Sequence, residues 1–276
     1  MKVQVAVVQM VSSEVLADNL AHAESLLAQA AMGGAQLVLL PENFALMGRD
    51  EKAKLAIMEM DGDGPIQSWL AAQAQRFGLW LIGGSIPLAA PDGRCYAACL
   101  AFNPAGQRQA RYDKIHLFDV DLAGGESYRE SRTIAPGRTP VAVTTPWGQL
   151  GLSICYDLRF PELYRCYAGA ELLAVPSAFT QQTGAAHWEC LLRARAIENQ
   201  AYVLAADQGG LHQNGRQTFG GSMIIDPWGQ VLARLDQGEG VALAQVDMEF
   251  LQRCRSNLPA LQHHRRQACC GAYQEI

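Results

Sequence analysis

Three short segments of this chain share one turn: Asn103-Pro104-Ala105-Gly106-Gln107, Thr145-Pro146-Trp147-Gly148-Gln149 and Asp226-Pro227-Trp228-Gly229-Gln230. Proline presets φ at the second turn position, and glycine follows two residues later. Apolar, β-prone runs flank each turn, so neighbouring strands pair antiparallel. The same chain also carries strand-then-helix units, whose crossovers return strands parallel. Residues 3–9 read as a first strand. An amphipathic helix follows, with Leu16, Leu20, Ala23, Leu27 and Ala30 alternately four and three apart, stopped at Gly33-Gly34. Residues 37–40 form a continuous apolar run, the pattern of a buried strand. Helical material spans about residues 51–77, broken near Gly62-Asp63-Gly64-Pro65, and residues 80–86 are the next strand. The second half repeats the theme: strands at 150–155, 172–176 and 201–206, and helices at 159–167, 187–199 and 249–255. In the helix 187–199, Leu191, Ala194 and Ile197 share a face. This mixture excludes a purely parallel doubly wound sheet. It predicts an α/β fold with one or two mixed sheets and helices outside.

The 276 residues are 49% hydrophobic, enough for a sizeable core, and no low-complexity linker divides them. A single domain over 1–276 is expected, with a polar tail from about residue 257. Twenty-two Lys and Arg stand against 27 Asp and Glu, so no basic field points to nucleic acid or an anionic membrane as a partner. No apolar run is long enough to span a bilayer, and the N-terminal run is too short and polar for a signal peptide. A cytoplasmic protein is the expectation. The eight cysteines then read as thiols rather than a disulfide framework. Cys95, Cys99, Cys166 and Cys190 read as small buried hydrophobes, while Cys269 and Cys270 sit in the tail. No pair of CxxC motifs suggests zinc.

Reactive types stand at strand ends. Cys155 lies in Gly151-Leu152-Ser153-Ile154-Cys155-Tyr156-Asp157-Leu158-Arg159-Phe160-Pro161-Glu162, where an apolar strand meets a helix start. Backbone N–H groups there are free to stabilise a thiolate and an oxyanion; an inert core thiol is the alternative. Glu42 follows four apolar residues and a proline, and reads either as a general base or as half of a structural salt bridge. Lys114 reads as a surface lysine or as fixed positive charge beside a developing oxyanion. Spacing alone does not join the three.

Leu40-Pro41-Glu42-Asn43, Tyr112-Asp113-Lys114-Ile115-His116-Leu117-Phe118-Asp119 and Ile154-Cys155-Tyr156-Asp157-Leu158-Arg159-Phe160-Pro161-Glu162 resemble, in this order, the glutamate, lysine and cysteine motifs of the nitrilase superfamily of carbon–nitrogen hydrolases. The resemblance covers nearly the whole chain. Asp113 departs from the pattern, where arginine is commoner. The resemblance implies a four-layer α-β-β-α sandwich with two mixed sheets, assembled into a homodimer or higher homo-oligomer. It implies a triad of Glu42 as general base and acid, Lys114 as oxyanion stabiliser and Cys155 as nucleophile, with the Tyr156 backbone N–H as a second oxyanion donor. Glu130, in Tyr128-Arg129-Glu130-Ser131, matches an auxiliary glutamate; an ordinary exposed glutamate is its alternative. This chemistry needs no metal or organic cofactor. The runs 116–120, 176–189 and 192–200 look like an amidase branch with two close members, one acting on deaminated glutathione and one an ω-amidase acting on α-ketoglutaramate; the run 208–220 is closer to the first. The expected activity cuts deaminated glutathione into α-ketoglutarate and cysteinylglycine through a thioester. Nitrile hydrolysis, N-carbamoyl amino acid hydrolysis and a non-catalytic oligomeric scaffold are the competing readings. Tyr128, Arg159, Phe179, Thr180, His187 and Trp188 are the candidates for lining the substrate pocket. Arg193 and Arg195 join Arg159 as possible carboxylate partners, with structural salt bridges as the alternative for each. His187 reads equally as a helix-start packing or hydrogen-bond residue, and Gly125 and Gly184 either let backbone pass close to substrate or are ordinary loop turns.

Overall fold

Val3, Val5 and Val7 point to one side of the first strand, Ala6 and Val8 to the other, and all five are buried. A strand apolar on both faces must lie between two covering layers. The computed structural model, which describes residues 1–122, 125 and 127–263, shows what those layers are.

The first half runs β1 (Lys2–Gln9), α1 (Leu16–Met32), β2 (Leu37–Leu39), α2 (Ala53–Ala56), α3 (Pro65–Phe77), β3 (Trp80–Ile82), β4 (Ile86–Ala89), β5 (Cys95–Phe102) and β6 (Arg108–Asp113). A small hairpin follows, β7 (Asp119–Asp121) and β8 (Ser127–Arg129). The second half runs β9 (Ala142–Thr145), β10 (Gly148–Leu152), α4 (Pro161–Arg165), β11 (Leu172–Ser177), α5 (Gln181–Asn199), β12 (Tyr202–Asp207), β13 (Met223–Ile225), β14 (Val231–Arg234), β15 (Gly240–Asp247) and α6 (Met248–Asn257).

One sheet has the order β15-β1-β2-β3-β5-β4, with β6 also paired to β5; the other has the order β14-β13-β12-β11-β10-β9. In each, a parallel centre (β1-β2-β3 and β10-β11-β12) is flanked by antiparallel strands. The three proline–glycine turns make three of the antiparallel pairs, β5–β6, β9–β10 and β13–β14. Val5, Val7, Leu37 and Leu39 of the first sheet share one core with Leu152, Leu172, Val203 and Ala205 of the second. Ala6, Val8, Val38 and Leu40 pack instead with Leu27 of α1 and Ile66 and Leu70 of α3. On the far side, α5 lays Trp188, Leu192 and Ala196 over the second sheet. The architecture is an α-β-β-α sandwich.

Several boundaries differ from the sequence reading. The strand expected at 80–86 breaks at Gly83-Gly84, and the strand expected to reach residue 155 ends at Leu152. The helix expected at 159–167 is the shorter α4, preceded by a 3₁₀ turn, Cys155–Arg159. Helix α5 begins six residues early because Thr180 caps it, its side chain accepting the Thr183 N–H. The inward stripe of α5 is Trp188, Leu192, Arg195, Ala196 and Asn199, which leaves Ile197 half exposed. Polar residues can hold that stripe because they are bonded: Arg195 donates through Nε and Nη2 to the Leu158 carbonyl, at 3.1 and 2.9 Å. Arg195 is therefore a structural tie between α5 and the cysteine turn. Cys95 and Cys99 are buried as expected, but Cys166 and Cys190 are exposed. Cys269 and Cys270 lie outside the described residues. Among the described residues no helix is long and apolar enough to cross a membrane.

Candidate active site

Each chemically distinctive side chain leaves the end of a strand. Glu42 comes three residues after β2, held by a backbone that crosses the left-handed region at Asn43 (φ 57°). The Asn43 N–H donates to Ser85 Oγ at 2.9 Å, and Gln208 Nε2 donates to the Glu42 carbonyl at 3.0 Å. Gly84 presses against the same segment: with φ at 56°, a Cβ placed there would stand 2.0 Å from the Pro41 carbonyl oxygen. Lys114 directly follows β6, its N–H on the Ala97 carbonyl at 3.0 Å. Asp113 beside it accepts from Arg111 Nε and Nη2 at 2.9 and 3.1 Å, so an arginine still stands in this segment two residues upstream. Glu130 follows β8. Cys155 opens its 3₁₀ turn with φ at 49°, a strained value for a residue with a Cβ.

One buried carboxylate secures that turn. Asp157 Oδ2 accepts from the Ile154 N–H at 2.9 Å and from Tyr112 Oη at 2.6 Å. Its Oδ1 accepts from the His116 N–H at 2.9 Å and lies 2.7 Å from His116 Nδ1. The His116 ring in turn stacks on Phe160, with centroids 3.7 Å apart. Residues flanking Lys114 are thereby bonded to residues flanking Cys155.

At the centre, Lys114 Nζ donates to Glu42 Oε1 at 2.9 Å and to both oxygens of Glu130 at 2.9 Å. The Phe118 N–H donates to Glu130 Oε2 at 2.7 Å. All three charged side chains are buried. Cys155 is buried and lines one cleft with Glu42, Lys114 and Ala178, close enough to feel the charges of both Glu42 and Lys114. Burial by itself would raise the Glu42 carboxyl, but the Lys114 ammonium outweighs it and holds the group below its ordinary value. Burial would likewise discharge Lys114, but Glu130 and Glu42 keep it charged far beyond its ordinary range. For Cys155, burial and then the Glu42 charge push the thiol well up, against the smaller opposing pull of Lys114 and the Ala178 amide. The sequence reading allows for a thiolate at this turn; burial and the Glu42 charge both work against that form. Nearby, Asp207 accepts the Phe179 N–H at 2.9 Å, and its completely buried carboxyl is pushed well up by desolvation and then by the Glu42 charge.

A cleft opens over the sulfur. Of the expected residues, Tyr128, Tyr156, Arg159, Phe179 and Thr180 line it together with Glu42, Lys114, Glu130 and Cys155. Trp188 and His187 do not. Trp188 is fully buried behind Phe179, ring centroids 4.8 Å apart, and its Nε1 donates to the Gly221 carbonyl at 2.8 Å. His187 stands outside the cleft, with Nδ1 3.2 Å from Nη1 of Arg159. Gly184 makes room for the Phe219 ring, and Gly125 is an exposed turn. Asn43, Glu51, Lys54, Phe118, Thr183 and Arg216 line the cleft without having been singled out in the sequence. The i, i+3 spacing of Glu51 and Lys54, bonded at 2.9 Å, and of Thr180 and Thr183 was the available signal. Among the described residues, no group of three or more His, Cys, Asp or Glu side chains is arranged to hold a metal ion.

This fold and this cluster have known relatives. Residues 4–256 match the model of the carbon–nitrogen hydrolase family. A deaminated glutathione amidase from Synechocystis is 44% identical over 265 residues, covering 94% of this chain and 96% of the relative. The omega-amidase NIT2 of Danio rerio is 38% identical over 266 residues, covering 96% and 95%. The crystal structure of Saccharomyces cerevisiae Nit3, from branch 10 of the nitrilase superfamily, matches with a TM-score of 0.85 at 31% identity, covering 94% of both chains. The chain belongs to the carbon–nitrogen hydrolase family. It is a hydrolase of carbon–nitrogen amide bonds.

Substituting Gly84→Ala forces a Cβ onto the Pro41 carbonyl and shifts the segment bearing Glu42. The expected loss of stability is about 2 kcal/mol, with a larger proportional loss of activity per folded molecule. Urea unfolding and amidase assays check it, and a variant equal to wild type in both measurements contradicts the close approach.

Proposed function

We propose that this protein hydrolyses the amide of deaminated glutathione to α-ketoglutarate and cysteinylglycine through a thioester on Cys155. The observation that carries the chemistry is a buried Cys155 in one cleft with a Glu42 carboxylate that Lys114 Nζ holds at 2.9 Å. Glu42 takes the thiol proton as the sulfur attacks the amide carbon. The oxyanion of the tetrahedral intermediate is met by the Lys114 ammonium and by the Tyr156 backbone N–H, which lies in the first turn of the 3₁₀ segment without an intrahelical acceptor. Glu42 returns the proton to the nitrogen, and cysteinylglycine leaves. Water gives a proton to Glu42 and attacks the thioester carbon; α-ketoglutarate departs as the sulfur regains its proton. Glu130, bidentate on Lys114, holds that ammonium in place between the two carboxylates. Arg159, four residues from the nucleophile and without a carboxylate partner among the described residues, faces the keto-acid carboxylate, beside Phe179 and Thr180. The ω-amidase reading is the second one, carried by the 38% identity to omega-amidase NIT2.

Cys155→Ala removes the acyl-carrying atom, and release of cysteinylglycine should fall by at least about 10³-fold; near-normal release from the folded variant sinks the mechanism. Wild-type kcat/KM should be higher on deaminated glutathione than on α-ketoglutaramate, and the reverse order selects the ω-amidase reading. Because Glu42 titrates below its ordinary value of 4.5, the acidic limb of kcat/KM should lie below pH 4.5. The same shift ties folding to pH: the Glu42 contribution is full above 4.5 and is lost as pH falls through the lowered value. A limb near pH 6 in a protein still folded there would exclude Glu42 as the base.

We also infer a homodimer or higher homo-oligomer. Its support is the outer side of α5, where Ile197 is 50% exposed beside half-buried Leu191 and Ala194. Sedimentation should give an oligomer that Ile197→Asp weakens; a monomeric wild type at micromolar concentration removes the inference.

A further inference from the structure

The cleft holds two arginines with no carboxylate bound to them among the described residues, Arg159 and Arg216. Its other cations are committed: Lys114 to Glu42 and Glu130, and Lys54 to Glu51. Arg216 is the less satisfied of the two arginines. Of its five N–H donors, one reaches an oxygen, Nη2 to the Ala178 carbonyl at 2.9 Å. Among the described residues, Nη1 has only the Met47 sulfur at 3.9 Å, and Nε is buried with no acceptor. Glu51 feels the charge of Arg216 but is bonded to Lys54.

The group is also held still. Its own N–H donates to Asn214 Oδ1 at 2.9 Å and its carbonyl accepts from the His212 N–H at 2.8 Å. His212 is buried, Nδ1 2.9 Å from the Ser12 carbonyl oxygen and Nε2 2.8 Å from Thr218 Oγ1. The guanidinium lies over the Tyr128 ring, 5.3 Å from its centroid. Tyr128 touches Phe118, and Phe118 touches Tyr156, with centroids 5.1 Å apart in each pair. Arg159 lies 5.7 Å from the Tyr156 centroid. The two guanidiniums thus lie over different rings, Arg216 over Tyr128 and Arg159 over Tyr156 and Phe179, with Phe118 in contact with both tyrosines.

We propose that Arg216 is a specificity-determining residue that binds the terminal carboxylate of the leaving peptide, so that the cleft selects dianionic amides, with one carboxylate at each of the two arginines. The assignment rests on the functional reading above, in which the substrate carries a carboxylate on both the keto-acid and the glycine side. Arg159 belongs to the turn of the nucleophile and serves the acyl part retained on sulfur. Arg216 belongs to a separate loop and serves the part that leaves.

The test compares deaminated glutathione with its analogue ending in glycinamide, on wild type, Arg216→Gln, Arg216→Lys and Arg159→Gln. Charge-assisted bonds of this kind correspond to a preference of about 10- to 100-fold for the acid in wild type, expressed mainly in KM. In Arg216→Gln the preference should fall to near unity; Arg216→Lys should restore part of it, and Arg159→Gln should retain it. A structural role for Arg216 would lower both rates together and leave the ratio intact, which overturns the assignment and spares the functional reading. A wild type with no preference overturns it as well. A wild type that cleaves α-ketoglutaramate but not deaminated glutathione overturns the functional reading, and the assignment falls with it.

Discussion

The buried ammonium of Lys114 is the interaction on which the rest of the site depends. Three charges removed from water are unfavourable unless each finds partners of good geometry. Here one cation is met by three carboxylate oxygens at 2.9 Å, and one of the two carboxylates receives a further backbone N–H. The cluster carries a net negative charge, and that sets the state of the sulfur: Glu42 repels a thiolate more than Lys114 attracts it. Burial and that charge both favour the protonated thiol over the thiolate. Removing Lys114 would leave two carboxylates competing for one buried space, so its role in ordering the cluster cannot be separated from its charge.

Such a cluster needs its three contributors brought from distant parts of the chain with little freedom. The sandwich does this by ending β2, β6 and β10 near one another and then tying their extensions together. Asp157 is the main tie, since a single carboxylate takes hydrogen bonds from the lysine segment, the cysteine turn and Tyr112. Arg195 adds a second tie from the outer helix through the Leu158 carbonyl. The strained φ of Cys155 is held by these surroundings rather than by its own preference.

The elements with strong periodicity were legible in the sequence: β1, α1, the apolar run of β2 and the three proline–glycine turns. The motif residues were legible too, through the order of their segments, and the cleft gathers Glu42, Lys114, Glu130 and Cys155 as that order implies. The inward stripe of α5 was hidden because Arg195 and Asn199 are buried by hydrogen bonding, which a hydrophobic pattern does not record. Trp188 was misplaced for a related reason: an aromatic next to a polar run suits a pocket wall as well as a core, and only packing against Phe179 decides. Lys54 and Arg216 gave little local signal, because their place in the cleft is set by how α2 and the loop after β12 fold over it.

A neutral thiol has a chemical consequence beyond catalysis. Peroxides attack thiolates, and oxidation to the sulfenic acid follows thiolate character and exposure. Cys155 is only 9% exposed, and burial and the Glu42 charge disfavour its thiolate. The burial and the neighbouring carboxylate that disfavour its thiolate also make Cys155 a poor target for oxidants.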